Sequence, residues 1–123
     1  MKKIIVPYDG SALAEKALRT AAEMAKAFQD EVHVVNIQSS SPILGENTVR
    51  EAEAFLKEEG VAYSSAIRVG MPSIEIISEA NDVDVRCIIM GSKGAGKAAS
   101  KKFGSVSEAI LQMVSCPIMI IPQ

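Results

Sequence analysis

Cysteine, histidine and long apolar runs are all scarce in this 123-residue chain, and each scarcity removes a class of protein. Two cysteines, Cys87 and Cys116, are too few for a disulfide framework. Both lie in apolar stretches, where free cysteine behaves as a small core residue. The single histidine, His33, falls inside a predicted strand and reads as structural. No Ser-His-Asp set, Cys/His metal cluster or obvious carboxylate pair stands out. No apolar run approaches the ~18 residues of a membrane span. Ile4, Ile5 and Val6 alone separate the two N-terminal lysines from Pro7, far short of a signal-peptide core. The expectation is a cytoplasmic protein with no membrane partner. A net charge of −2 argues against bulk nucleic-acid binding.

What is present suits one compact α/β domain over residues 1–123. The hydrophobic content of 48% fills a core without a staple. Short apolar runs predict strands at Lys2–Val6, Val32–Ile37, Val61–Val69, Val85–Met90 and Ile118–Ile121. Between the first two, Ser11 caps a predicted helix reaching Phe28, with Leu13, Ala17, Ala21, Met24 and Phe28 on its inward face. Thr48 with Glu51 predicts a capping box for a second helix, closed by Gly60. Pro72 suits the first turn of a third. Ser105 with Glu108 predicts a capping box for the last, with Val106, Ala109, Ile110 and Met113 inward. Strict β-α alternation means a mostly parallel five-stranded sheet with helices on both faces.

Ligands of such open sheets bind beyond the carboxyl ends of the strands, where the strand order reverses. The segment Gly91–Gly104 is long for a connection, and long connections are more often functional. It also concentrates charge: Lys93, Lys97, Lys101 and Lys102 carry no intervening acid. Glycines let backbone approach a phosphate, and the helix start near Ser105 adds free N–H groups and a positive dipole end. Together they describe a polyphosphate cradle. Gly91-x4-Gly96-Lys97 satisfies most of a P-loop but fails at Ala98, where Ser or Thr should hold Mg²⁺.

Gly91-x2-Gly94-x9-Gly104-Ser105 instead resembles the G-x2-G-x9-G-(S/T) pattern of ATP-binding universal stress proteins. The opening IIVPYDGS, the segment GMPSIEII and the ending SCPIMIIP resemble the same family. The resemblance implies strand order 3-2-1-4-5, a Rossmann-like, adenine nucleotide α-hydrolase-like fold. It implies that Pro7, Tyr8 and Asp9 line the base and ribose, and that Ile37 packs on the adenine. Met90 and Gly91 would sit near the ribose. Ser92, Lys93, Gly94, Gly104, Ser105, Val106 and Ser107 would surround the phosphates. ATP, with Mg or Mn held through its phosphates, is the implied ligand. Lys93 departs from the histidine or arginine common at its place, and the connection after the second strand is short.

The leading expectation is a nucleotide-dependent stress-signalling module. Alternatives are a slow ATPase or phosphotransferase, with Asp9 as its sole candidate base, and a dimeric regulator that binds no nucleotide. Ile118–Ile121 would be an uncharged edge strand, and such an edge invites a homodimer.

Overall fold

The computed structural model describes residues 1–93 and 104–123. Its elements follow in the order β1 (Lys3–Pro7), α1 (Ala12–Phe28), β2 (Glu31–Gln38), a 3-10 turn (Pro42–Gly45), α2 (Glu46–Glu59), β3 (Tyr63–Val69), α3 (Pro72–Ala80), β4 (Val85–Gly91), α4 (Ser105–Met113) and β5 (Ile118–Ile121). All neighbouring strands pair parallel, in the order β3-β2-β1-β4-β5. This is the open parallel sheet expected from the β-α alternation, in the Rossmann-like strand order that the family resemblance implies. The reversal falls between β1 and β4.

Strand alternation divides the core into two layers. Ile4, Val6, Val32, Val34, Cys87 and Ile89 face α1 and α2, meeting Ala17, Leu18, Ala21, Ala52 and Leu56. Ile5, Val35, Ile88 and Met90 face α3 and α4, meeting Ile76, Ala80 and Ile110. Both faces of β1 and β4 are therefore buried, which is why those strands read as continuous apolar runs.

Three local expectations are corrected. The inward face of α1 is Ala14, Ala17, Leu18, Ala21, Ala22 and Ala25, rotated from the predicted stripe. A mostly alanine face lets the helix lie close on the sheet. Phe28 stays 51% exposed, beneath the Arg86 guanidinium at 4.2 Å. The second helix starts at Glu46 behind the 3-10 turn, so Thr48 sits in its first turn rather than at its cap. In α4 the cap is Gly104, and Ser105 is already helical. Ile110 is buried in that helix, but Met113 is exposed. Other boundaries agree with expectation: Ser11 Oγ accepts the Ala14 N–H at 3.2 Å, and Gly60 ends α2 in the left-handed conformation.

Candidate functional site

At the reversal of strand order, β1 continues into α1 on one face and β4 leads towards α4 on the other. A cavity of about 260 Å³ opens between them. Its first wall is the turn after β1. Gly10 has φ +81°, the left-handed region that favours glycine, and the chain bends there into α1. Asp9 Oδ1 accepts the Ser11 N–H at 3.0 Å, holding the turn closed. Pro7, Tyr8, Asp9, Ser11 and Ala14 line this side.

The second wall is apolar. Val35 and Ile37 come from β2, Pro72 and Ile76 from α3, and Met90 from β4. The sequence pointed to Ile37 and Met90 but not to Ile76. Pro72 ends the connection after β3, one of the loops at the carboxyl ends of the strands, but no local signal marks Ile76, which only the packing of α3 brings there.

The third wall is polar. Gly91, Ser92 and Lys93 leave β4, and Gly104, Val106 and Ser107 enter α4. Ser92 joins three elements. Its N–H donates to Ile121 O of β5 at 2.8 Å, and its carbonyl accepts the Gly104 N–H at 2.8 Å. The Ser107 hydroxyl is shared between Ser92 O at 2.7 Å and Gly104 O at 3.1 Å. The start of α4 is thereby held against the end of β4. Its first N–H groups have no intrahelical acceptor and carry the positive end of the helix dipole.

One group on this wall stands out. Ser92 Oγ is buried and, among the described residues, has no hydrogen-bond partner. A buried hydroxyl without a partner carries a desolvation cost, and a ligand accepting or donating there would remove it. Beside it, Lys93 is only 9% exposed, and its Nζ donates to Gln123 Oε1 at 3.2 Å.

Tyr8 lines the cavity, and its side chain is buried in the core layer under α1 and α2. Burial first, then the nearby carboxylates of Glu15, Glu51 and Asp9, push its phenol above the usual value. It stays a neutral donor through the physiological range.

Eleven of the residues singled out in the sequence therefore line one cavity: Pro7, Tyr8, Asp9, Ile37, Met90, Gly91, Ser92, Lys93, Gly104, Val106 and Ser107. Ser105 does not line it, since as the first helical residue it turns outward and is exposed. Gly94, Lys97, Lys101 and Lys102 lie outside the described residues. Sequence reasoning passed over Ala14, Val35 and Ile76, while Ser11 and Pro72 fall at the ends of connections, Pro7–Ser11 and Val69–Pro72, that the carboxyl-end rule marks as candidate ligand loops.

A parallel Rossmann-like sheet with an apolar-to-polar cleft at its switch point defines the class. Within it the family is specific: a model of the universal stress protein family matches residues 1–122, and the chain belongs to that family. Universal stress protein MJ0531 of Methanocaldococcus jannaschii is 25% identical over 138 residues, covering 98% of this chain and 81% of the relative. Among solved structures, protein MJ0577 of the same organism superposes with a TM-score of 0.89 at 26% identity. That match covers 99% of this chain and 96% of the other. A universal stress protein from Archaeoglobus fulgidus, solved in complex with dAMP, gives 0.83 at 26% identity and covers 98% of each chain.

Proposed function

We propose that the cleft binds an adenine nucleotide and that the protein works as a nucleotide-dependent stress-signalling module in the cytoplasm, the whole chain forming one domain. The observation that carries this reading is the buried Ser92 Oγ, unpartnered among the described residues, beside Lys93 and the start of α4. That wall has the chemistry of a phosphate site: backbone N–H groups, a hydroxyl and a cation. The apolar wall of Ile37, Ile76 and Met90 suits a flat base, and Asp9, which also lines the cavity, offers a carboxylate to a ribose hydroxyl. The dAMP complex of the Archaeoglobus relative supports the same assignment.

ATP is the intended ligand, with Mg or Mn carried on its phosphates. A cavity of about 260 Å³ is close to the ~300 Å³ lower end of ordinary ligand pockets, so the nucleotide is held partly open to solvent. We further propose a homodimer through β5. In the calorimetric test, ATP with Mg²⁺ and dAMP are titrated into the parent protein and into Ser92→Ala. The expected result is saturable binding, weakened roughly tenfold by loss of one phosphate hydrogen bond. Absence of heat for either nucleotide at millimolar concentration would reject the reading.

A further inference from the structure

β1 and β2 run in a register that sets Pro7 opposite Val35. The ladder ends with the Tyr8 N–H donating to Val35 O at 2.9 Å. Two more rungs belong to the same parallel geometry: Ile37 N–H to Tyr8 O, and Gly10 N–H to Ile37 O. Among the described residues neither is made. Tyr8 O is taken instead by a side chain, accepting from Asn36 Nδ2 at 2.9 Å.

The side chain reaches Tyr8 from behind the cleft. Val32 and Val34 of β2 face the α1/α2 layer, and Asn36 continues that series. Val35 and Ile37 face the other way and line the cavity. An asparagine that is 3% exposed at the end of a valine-rich strand is costly unless its amide is satisfied at both ends. Here both ends are satisfied. Tyr8 O is an acceptor only, so the group facing it must be the NH₂. Asn36 Oδ1 in turn accepts Gln38 Nε2 at 2.8 Å. Gly45 closes over the pair so tightly that a Cβ there would stand 2.1 Å from Asn36 Oδ1. The glycine is needed for space, since its φ of −96° is open to any residue.

We propose that Asn36 is a positioning residue of the cleft. By holding the Tyr8 carbonyl it stops the β1–β2 ladder before Ile37. The main-chain N–H and C=O of Ile37 are then left unclaimed by β1, at the apolar end of the cavity. Gln38 and Gly45 keep the amide in that orientation. This deepens the nucleotide reading and rests on it for the identity of the ligand: whatever base enters meets a main-chain donor and acceptor that the strand would otherwise consume.

The test uses the full chain with Asn36→Leu, which keeps the branched shape but removes the amide, and with Gly45→Ala, whose methyl displaces Asn36 Oδ1. In the nucleotide-free protein, hydrogen exchange of the Ile37 amide should slow by about tenfold in both, because Tyr8 O becomes free to take it. Affinity for dAMP should fall about tenfold, while affinity for inorganic tripolyphosphate, which reads only the α4 end, stays at the parent value. Asn36→His, with a ring N–H in reach of Tyr8 O, should return exchange and dAMP affinity towards the parent. Unchanged Ile37 exchange in both variants overturns the positioning role, whatever happens to binding. So does an equal loss of dAMP and tripolyphosphate, which marks general loosening. A parent protein that binds no dAMP rejects the nucleotide reading, and the exchange rates still decide the role of Asn36.

Discussion

Gly91 shows how a single position shapes the cleft. A Cβ added there would lie 2.7 Å from Leu13 Cβ and 3.3 Å from Lys93 O. The last residue of β4 thus lets α1 approach the strand end directly. Leu13, expected on the inward face of α1, meets Gly91 through its Cβ and is only half-buried, outside the main core. Gly91→Ala should force α1 outward or twist the end of β4. Overpacking of this kind costs about 1–3 kcal/mol. A thermal melt should register the loss, and nucleotide affinity should fall with it because both cleft walls move. A variant as stable as the parent would show that the contact yields freely. The cysteines also act at this scale. Burial pushes both the Cys87 and Cys116 thiols up, as befits core residues rather than reactive thiolates.

At the scale of elements, the placement of α3 is set by polar groups far from the cleft. Arg68 of β3 donates to Glu75 Oε1 at 2.6 Å and to Glu79 Oε2 at 2.5 Å. His33 of β2 bridges Glu79 Oε1 at 2.6 Å and Ser64 Oγ at 2.7 Å. The histidine is thus structural, and its network ties α3 to two strands while Pro72 and Ile76 of the same helix line the cavity. Burial pushes the Glu79 carboxyl up, but hydrogen bonds from His33 and Arg68 together outweigh it, so the net shift is downward. A carboxyl with a lowered folded value binds fewer protons in the folded state than in the unfolded one. The stability it contributes is complete above the ordinary Glu value of about 4.3. It is lost as pH falls through the lowered folded value. Glu79→Gln should cost about 1–3 kcal/mol at neutral pH and flatten the acid limb of a stability–pH profile. Urea melts from neutral pH into the acid range would measure both. An acid limb identical in parent and variant would place the titration elsewhere.

For the whole molecule, the two sheet edges differ. β3 carries Arg68 and ends beside α3, whereas β5 presents Ile118, Met119, Ile120 and Ile121 without a charge. β5 pairs with β4 on one side and is the last strand of the sheet on the other. Met119 is 39% exposed. An apolar edge without charges invites pairing, and two identical edges related by a two-fold axis close without forming fibres. Light scattering over a dilution series should therefore give a dimer in the parent. Ile120→Lys should shift it to monomer by placing a charge in the shared edge. A parent that is monomeric at high micromolar concentration would reject the interface, and a dimer indifferent to the lysine would relocate it. Ser92 N–H bonds Ile121 O, so the proposed interface and the polar wall of the cavity share a strand end.

The sequence by itself determined the five strands and their mostly parallel pairing, which rest on apolar runs bounded by Pro and Gly and alternating with capped helices. The strand order and most of the cleft were legible through the resemblance of its glycine spacing and chain ends to the universal stress protein family. Gly91, Ser92, Lys93, Gly104 and Ser107 were legible because they sit within one segment. What the sequence left undetermined depends on contacts between distant elements. The rotation of α1 could not be read from its periodicity, because alanine and leucine compete for the inward face and the choice is made by packing against the sheet, including the close approach to Gly91. Ile76 reaches the cavity only through α3 packing against β2. Asn36 looked like one polar residue at the end of a strand. Its role exists only where Tyr8, Gln38 and Gly45 converge on its amide, and no spacing along the chain encodes that convergence.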